Sequence, residues 1–279
     1  MEDKITTHIC TCTFDNGYIL SSVLKACAVK MTELQTTFLD NIIHITNTTN
    51  DVKLFKNNIL DGNEIDLCWD KDIPKEKRNL TIQYNYSELK ATLTKILKKD
   101  RAKLELFQIR NLKTKDLFDE EGSSDRFSIV IIKEEGDLAG SKQFPATRIQ
   151  QPTYEVIDPE DQKHIRIPIK QYISLTKEFG KIKGDEIQIR LHKTENGAGI
   201  TFISTKNKMI QQYGEIEDDD NDKPPIEYYI DSEKMQYLTN IAIHNEGSVI
   251  IYYKENCELK LVHKYGSWGV DTTYISSKR

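Results

Sequence analysis

The chain has 279 residues and a mass of 32.3 kDa, enough for one large domain or two smaller ones. Residues of the AVILMFWYC class make up 38 % and charged residues 30 %, which excludes full disorder and predicts a polar surface. The formal net charge is −5, so any contact with nucleic acid needs local basic patches, because the overall charge repels phosphate.

No apolar run approaches the ~20 residues of a membrane span, and residues 1–7 are too polar for a signal peptide, so no membrane partner is expected. The five cysteines are odd in number and scattered, as in proteins of a reducing compartment: Cys10, Cys12, Cys27, Cys68 and Cys257. Cys10 and Cys12 would share one face of a strand, where core packing explains them better than a metal or redox site.

Hydrophobic periodicity predicts mainly strands in the first half of the chain, with two helices at 18–30 and 87–99. The predicted strands are 8–14, two strands within 34–46 about an Asp40-Asn41 turn, 52–58, 64–69, 79–85, 103–111, 126–135 and 143–151. The last of these contains Pro145 and is predicted to be an edge strand, because proline cannot donate a ladder hydrogen bond.

Residues 149–164 break every periodicity and contain two prolines, which predicts a surface crossover. Beyond it, a short stretch leads into a helix at 171–182, and a second helix is predicted at 232–244. Strands are predicted at 185–204 (a hairpin), 207–216, 226–230, 248–256, 257–265 and 268–276, with an acidic loop at 217–225. The order strand, helix, strands, helix, strands therefore occurs twice, which indicates two copies of one α+β module.

The sequence contains no recognisable catalytic motif. It lacks the glycine-rich phosphate loops, the histidine pairs of metal sites and the nucleophile elbow, and the acidic run at 218–220 lacks EF-hand spacing. We therefore expect a protein that is not an enzyme and that needs neither a cofactor nor a metal.

Three predicted helices carry lysines opposite their apolar stripes. These polar sides hold Ser21, Ser22, Lys25 and Lys30; then Lys90, Ala91, Thr94, Lys95, Lys98 and Lys99; and then Lys170, Ser174, Lys177 and Lys181. A solvated helix face usually mixes charge signs, because opposite charges four residues apart stabilise a helix. Two interpretations stay open, a solvated surface and a surface that faces a polyanion.

With its elements in this order, the chain resembles the sliding clamps of the proliferating cell nuclear antigen (PCNA) family over nearly all its residues. Order and spacing carry the resemblance, in FDNGYILSSVLKA (14–26), SELKATLTKILKK (87–99), the stretch 167–204, the acidic loop before IEYYIDSEKMQYLTNIA (226–242), and 248–276. The resemblance implies an α+β fold of two similar DNA-clamp domains, 1–148 and 165–279, joined by an interdomain connector at 149–164. It also implies a homotrimeric ring, with helices around a central hole and antiparallel sheets outside.

A clamp of this kind encircles double-stranded DNA without reading its sequence and tethers replication and repair proteins. The implied partners are a clamp loader, a DNA polymerase and other proteins with clamp-binding peptides. The abundant Asn, Lys and Ile, and the distance from cellular clamps, would suit a large DNA virus and a nuclear or cytoplasmic viral replication site.

The resemblance also assigns residues. DNA-facing family positions match Lys95, Lys98 and Lys177, and the other helix lysines complete the predicted DNA-binding set: Lys25, Lys30, Lys90, Lys99 and Lys181. Other basic positions of the family fall on Ser21, Ser22, Ala28 and Asn240, which predicts weaker contact with DNA. The predicted pocket for partner peptides consists of Val52, Leu54, Val156, Ile157, Tyr274 and Ile275.

Subunits are expected to pair through edge strands at Gln143–Ile149 and Asn207–Ile216. Two rival interpretations remain: a clamp-fold transcription or processivity factor that does not encircle DNA, and an unrelated α+β enzyme with dispersed site residues. The mass of the oligomer separates the ring from both rivals, because only the ring requires three copies.

Overall fold

The structure is a computed structural model that describes residues 4–27, 33–40, 42–49, 54–60, 65–97, 99–111, 126–135, 138–150, 164–193, 198–214, 224–239, 247–265 and 269–278. The first half of the chain forms, in order, β1 (Lys4–Phe14), α1 (Gly17–Cys27), β2 (Glu33–Phe38), β3 (Ile43–Thr49), β4 (Leu54–Leu60), β5 (Ile65–Trp69), β6 (Leu80–Asn85), α2 (Tyr86–Leu93), β7 (Arg101–Asn111), β8 (Arg126–Glu135) and β9 (Leu138–Ile149). The second half forms β10 (His164–Pro168), α3 (Ile169–Lys177), β11 (Glu186–Lys193), β12 (Ala198–Ser204), β13 (Met209–Gly214), β14 (Ile226–Asp231), α4 (Ser232–Thr239), β15 (Ser248–Tyr252), β16 (Leu259–Tyr265) and β17 (Gly269–Ile275). Two short 3-10 turns, Lys75–Lys77 and Phe179–Lys181, complete the order.

The chain divides into two compact units. The first comprises Met1–Asn47 and Asn58–Pro152, and the second comprises Thr48–Asn57 and Thr153–Arg279. Both contain the predicted order of strand, helix, strands, helix, strands, and every strand pair that the structure describes is antiparallel. The α+β class and the repeat predicted from the sequence are therefore confirmed.

In the first unit one sheet runs in the order β3-β2-β6-β9-β8-β7-β1-β5. Helices α1 and α2 lie side by side on it, with α1 against β1 and β7, and α2 against β2 and β9. The apolar side of each helix supplies buried side chains, among them Leu20 and Leu24 of α1 and Leu89 of α2. Both Cys10 and Cys12 of β1 are also buried, so they pack in the core as predicted.

In the second unit the strands form two separate groups, β10-β15-β16-β17 and β13-β12-β11-β14. Helices α3 and α4 contact each other, and the hydroxyl of Tyr172 in α3 donates to the backbone oxygen of Leu238 in α4 at 3.1 Å. None of the helices in the described part of the chain is long and apolar enough to cross a membrane.

Helix α2 is shorter than the predicted helix 87–99. It ends at Leu93 because Asp100 stops the next turn: its carboxylate accepts from the backbone N–H of Leu97 at 2.6 Å. The backbone oxygen of Asp100 also accepts from the N–H of Gly17 at 2.7 Å. A Cβ at Gly17 would lie 2.9 Å from that oxygen, so only glycine allows this approach of α1.

The prediction that the strand containing Pro145 is an edge strand is wrong for the strand as a whole, because β9 lies between β6 and β8. Its register with β6 runs only from Ala146 to Ile149. Pro145 is opposed by Ser128 of β8 and precedes the first pair with β6. The proline is accommodated because the ladder on that side begins one residue later.

Candidate nucleic-acid interface

Three exposed lysines lie on α2 and in the residues that follow it. Asn85 caps the helix, since its side-chain oxygen accepts from the N–H of Ser87 at 2.8 Å, which fixes where the helix begins. Lys90 is exposed on the helix, and Lys95 and Lys99 are exposed in the residues that follow it. The lysines predicted for one long helix face therefore lie partly on a helix and partly on the turn that ends it.

Helix α1 exposes less of its predicted polar side than the sequence suggested. The prediction that Ser21 and Ser22 lie on its outward side is wrong, because both are buried. The hydroxyl of Ser21 donates to the backbone oxygen of Leu93 at 2.9 Å, so this side of α1 packs against the end of α2. Lys25 is exposed, and it is the one lysine within the described residues of α1.

Helix α3 begins directly after Pro168 and exposes Lys170 and Lys177. The exposed Lys181 follows in the 3-10 turn, where its ammonium lies 2.7 Å from the carboxylate of Glu178. The hydrogen bond from Lys181 holds the pKa of Glu178 below its ordinary value. Lys181 is therefore already paired, whereas a phosphate could approach the other two lysines without displacing that carboxylate.

Exposed charges on α1, α2, α3 and the residues following these helices are mostly positive. Among the described residues, the exposed acids of these helices are Glu88 and Glu178, and the exposed bases are Lys25, Lys90, Lys95, Lys99, Lys170, Lys177 and Lys181. Such a surface attracts phosphate without reading bases, because ammonium groups on flexible side chains carry no sequence information.

Helix α4 differs from the other three. Its exposed charge in the first turn is Glu233, whereas Lys234 is only 4 % exposed. The Lys234 ammonium donates to the backbone oxygen of Ser276 at 3.2 Å, in the segment that follows β17. In the described part of α4, no lysine faces solvent.

Several predicted residues lie outside the described residues: Lys30, Lys98, Val52, Val156, Ile157, and the unmatched family positions Ala28 and Asn240. Leu54 lies in β4, and Ile275 at the end of β17 is fully buried. Tyr274 is half-buried, with Lys260 Nζ 5.8 Å from its ring centroid. Because half of its residues are not described, the structure does not test the predicted peptide pocket, which stays a prediction.

A cavity of about 620 Å³ lies in the second unit, and its lining includes the two residues that follow Ile275. Residues 224–228, 254–258 and 276–277 line it. The hydroxyl of Tyr228 in β14 donates to the backbone oxygen of Lys254 at 2.9 Å, which ties β14 to the turn after β15. Burial raises the pKa of Tyr228 to about 12, so this bond persists at neutral pH.

The cavity wall is partly apolar and carries charges of both signs, because Lys254 lines it together with three glutamates, of which Glu227 is paired with Arg190. Pro225 and Ile226 supply apolar surface, while Glu227, Glu255 and Glu258 supply carboxyl groups. Burial would raise the pKa of Glu227, but hydrogen bonds from neighbouring side chains and a nearby guanidinium together lower it, so it stays charged. The cavity can therefore receive an apolar side chain next to a cationic one.

Sequence reasoning did not find this cavity. Its three segments are far apart in the chain, and only the fold brings them together. The available local signals were the Pro224-Pro225 pair before a strand and the turn at Lys254–Cys257, where Asn256 has a φ of +62°. Both predict turns, and neither predicts that the turns meet.

Strands β5, β10, β13 and β14 end their sheets in the described part of the chain, and the predicted subunit contact concerns β13 and part of β9. The predicted contact at Gln143–Ile149 is wrong for residues 146–149, because these pair with β6. The stretch 138–145 of β9 pairs with β8 on one side, and its other side lies beyond the β6 register. Strand β13 ends its sheet and pairs with β12. Ile210 of β13 is 60 % exposed, unusual for a large apolar residue in a strand.

No protein-family model matches this chain, and no curated protein matches it in sequence. Among solved structures, it is similar to the Proliferating Cellular Nuclear Antigen of Entamoeba histolytica, with a TM-score of 0.69 and 14 % sequence identity. The match covers 98 % of this chain and 100 % of that chain. The chain has a PCNA-like clamp fold.

The PCNA-like fold accounts for the whole described chain, because the match leaves almost no residue outside it. The resemblance inferred from the order of the elements is therefore confirmed at the level of fold. The matched protein is from an amoeba, and the viral source suggested by composition receives no support from it.

Proposed function

We propose that this protein is a DNA sliding clamp, a non-enzymatic ring of three copies that encircles double-stranded DNA and holds a DNA polymerase on it. The observation that carries the proposal is the PCNA-like fold over the whole chain. The lysine-rich outward sides of the helices support it, since they are the surface that such a ring turns toward DNA. The two clamp domains are proposed at 1–148 and 165–279.

The charge distribution favours encirclement over tight static binding. The net charge of −5 repels DNA from most of the surface, while the exposed helix lysines attract it locally. Contacts limited to phosphates are equivalent at every base pair, so a ring held this way can slide.

The open edges of β9 and β13 support assembly. Each copy would pair the 138–145 part of β9 with β13 of its neighbour, which satisfies backbone groups that a single chain leaves open. The pairing would also cover Ile210, whose exposure an isolated chain does not explain. Because the edges differ, the contact is head to tail, and the proposed ring requires a rotation between successive copies that closes.

The cavity supports partner binding. Peptides of the polymerase and of other replication and repair proteins would place an apolar side chain against Pro225 and Ile226, within the 620 Å³ space. The acidic residues at its rim favour peptides with an adjacent lysine or arginine. A clamp loader, which opens the ring onto DNA, completes the proposed set of partners.

Light scattering on wild type and an Ile210→Asp variant tests the assembly. We expect a wild-type mass three times 32.3 kDa and a single-chain mass for the variant, because the new carboxylate would be buried in the interface. Ile210→Leu, which keeps the apolar surface, should remain a trimer.

Retention on DNA completes the test. Wild type loaded on closed circular DNA should stay bound and should dissociate when the circle is cut, because only a ring is held topologically. A wild-type protein of single-chain mass, or one released equally from both forms, would favour the clamp-fold factor that does not encircle DNA.

A further inference from the structure

Each residue of the segment that follows β17 makes a hydrogen bond to another part of the second unit. Its residues Ser276, Ser277 and Lys278, here called the tail, lie beside β14. The N–H of Tyr229 in β14 donates to the Ser277 hydroxyl at 3.0 Å, and the N–H of Lys278 donates to the backbone oxygen of Tyr229 at 2.8 Å. The tail therefore occupies the backbone edge of β14 at Tyr229.

The tail is also a wall of the cavity, because Ser276 and Ser277 line it. The hydroxyl of Ser276 donates to the carboxylate of Glu258 at 3.3 Å, which joins the tail to the opposite lining segment. A shift of the tail would thus change both the width of the cavity and the position of a carboxylate at its rim.

From the helix side, Lys234 holds the tail. A lysine in the first turn of a helix is unfavourable, because its charge opposes the positive end of the helix dipole. Burial adds a desolvation penalty, and Lys234 is 4 % exposed. An ammonium at such a place needs strong acceptors, and the backbone oxygen of Ser276, 3.2 Å away, is one of them.

We propose that Lys234 is a positioning residue for the cavity: its buried ammonium fixes the tail as a wall and thereby sets the affinity for the peptide that the cavity receives. The part about affinity rests on the proposed function, whereas the part about the tail does not. A backbone oxygen cannot be removed by substitution, so Lys234 is the partner through which this contact is tested.

The test uses the full-length chain with Lys234→Met, which keeps side-chain length and helix propensity and removes the ammonium. Lys170→Met is the matched control, the same change at an exposed position in the first turn of α3. Hydrogen exchange followed by mass spectrometry measures the amides of the tail, and a fluorescently labelled polymerase-derived peptide measures affinity.

We expect Lys234→Met to speed exchange of the tail and to weaken peptide binding by about tenfold, the value of one hydrogen bond to a charged group. Exchange in β11 and β12 should be unchanged, and Lys170→Met should behave as wild type in both assays. Tail exchange equal to wild type overturns the proposal, as does unchanged peptide affinity despite a loosened tail.

Two further results keep the outcomes separate. If wild type does not bind the peptide at all, the proposed docking function fails, and the exchange result alone decides the role of Lys234. If Lys234→Met does not fold, Lys234→Gln, which ends in a shorter neutral amide, is tested instead, and tail exchange equal to wild type in that variant overturns the proposal.

Discussion

The two units differ at the strand that precedes their second helix. In the first unit β6 pairs with β9 over the register from Thr81–Ile149 to Tyr84–Ala146. In the second unit β14 and β17 hold the same places in the repeated order, yet they belong to different sheets. There the tail after β17 reaches β14 instead, through hydrogen bonds at Tyr229.

This difference explains where the cavity forms. A continuous ladder leaves no room between neighbouring strands, which lie about 4.8 Å apart. When the last strand joins another sheet, the gap must be filled by other groups, and in the second unit it is filled only partly. The repeated fold is thus closed by a ladder in the first unit and leaves a cavity at the matching place in the second.

The largest expected effect comes from burying a charge at the closed position. Ala146→Asp places a carboxylate between β6 and β8, opposite Tyr84 and Phe127, and should destabilise the protein by at least about 3 kcal/mol. Ser277→Ala at the open position removes one hydrogen bond and should cost about 1 kcal/mol. Thermal unfolding measures both, and equal losses would contradict the contrast between the units.

An intermediate effect concerns the lysines of the two units. Replacing Lys90 and Lys95 by alanine should lower the log–log salt slope of DNA binding by about 1.8, or roughly 0.9 for each phosphate contact. Replacing Lys177 and Lys181 should lower it less, because Lys181 is paired with Glu178. Fluorescence anisotropy with duplex DNA at several salt concentrations measures the slopes, and a larger change for the second pair would refute this order.

The smallest expected effect concerns one carboxylate in each unit, Asp100 between α2 and β7 and Asp185 between α3 and β11. The hydrogen bond from the N–H of Leu97, assisted by Lys133, lowers the pKa of Asp100. Burial would raise the pKa of Asp185, but hydrogen bonds, led by the one from Ser204, lower it overall.

Because both folded pKa values lie below the ordinary value, each charge stabilises the fold above about pH 4, and this is lost as pH falls through the folded pKa. Asp100→Asn and Asp185→Asn should therefore be less stable than wild type at pH 7 and approach it in acid. The loss should be larger for Asp100, which is fully buried. Urea unfolding at pH 7 and in acid measures this, and a gap that persists in acid would exclude the two charges as its cause.

Most elements could be predicted from the sequence because their signals are local. The apolar run 126–135 matches β8, and the break predicted within 34–46 falls between the end of β2 at Phe38 and the start of β3 at Ile43. The end of α2 could not be predicted, because it depends on a carboxylate beyond the helix and on the approach of Gly17. The burial of Ser21 likewise depends on a helix more than sixty residues away in sequence.

The candidate site was predictable only in part. Exposed lysines follow from helix periodicity, since polar residues opposite an apolar stripe face solvent. Nothing in the sequence around Lys234 indicated a buried ammonium, because its acceptor lies 42 residues away in the chain. The cavity depends on three distant segments, and which strands fail to pair is decided by the whole sheet.

The open edges of β9 and β13 also affect how unassembled chains behave in a cell. A chain with two complementary edges can keep adding copies, and the angle between successive copies decides whether growth stops at a closed object or continues as a filament. Closure consumes both edges of every copy at once, which leaves none for further growth. Newly made chains expose both edges until they assemble. If synthesis is faster than ring closure, these edges should pair with other chains and form insoluble aggregates.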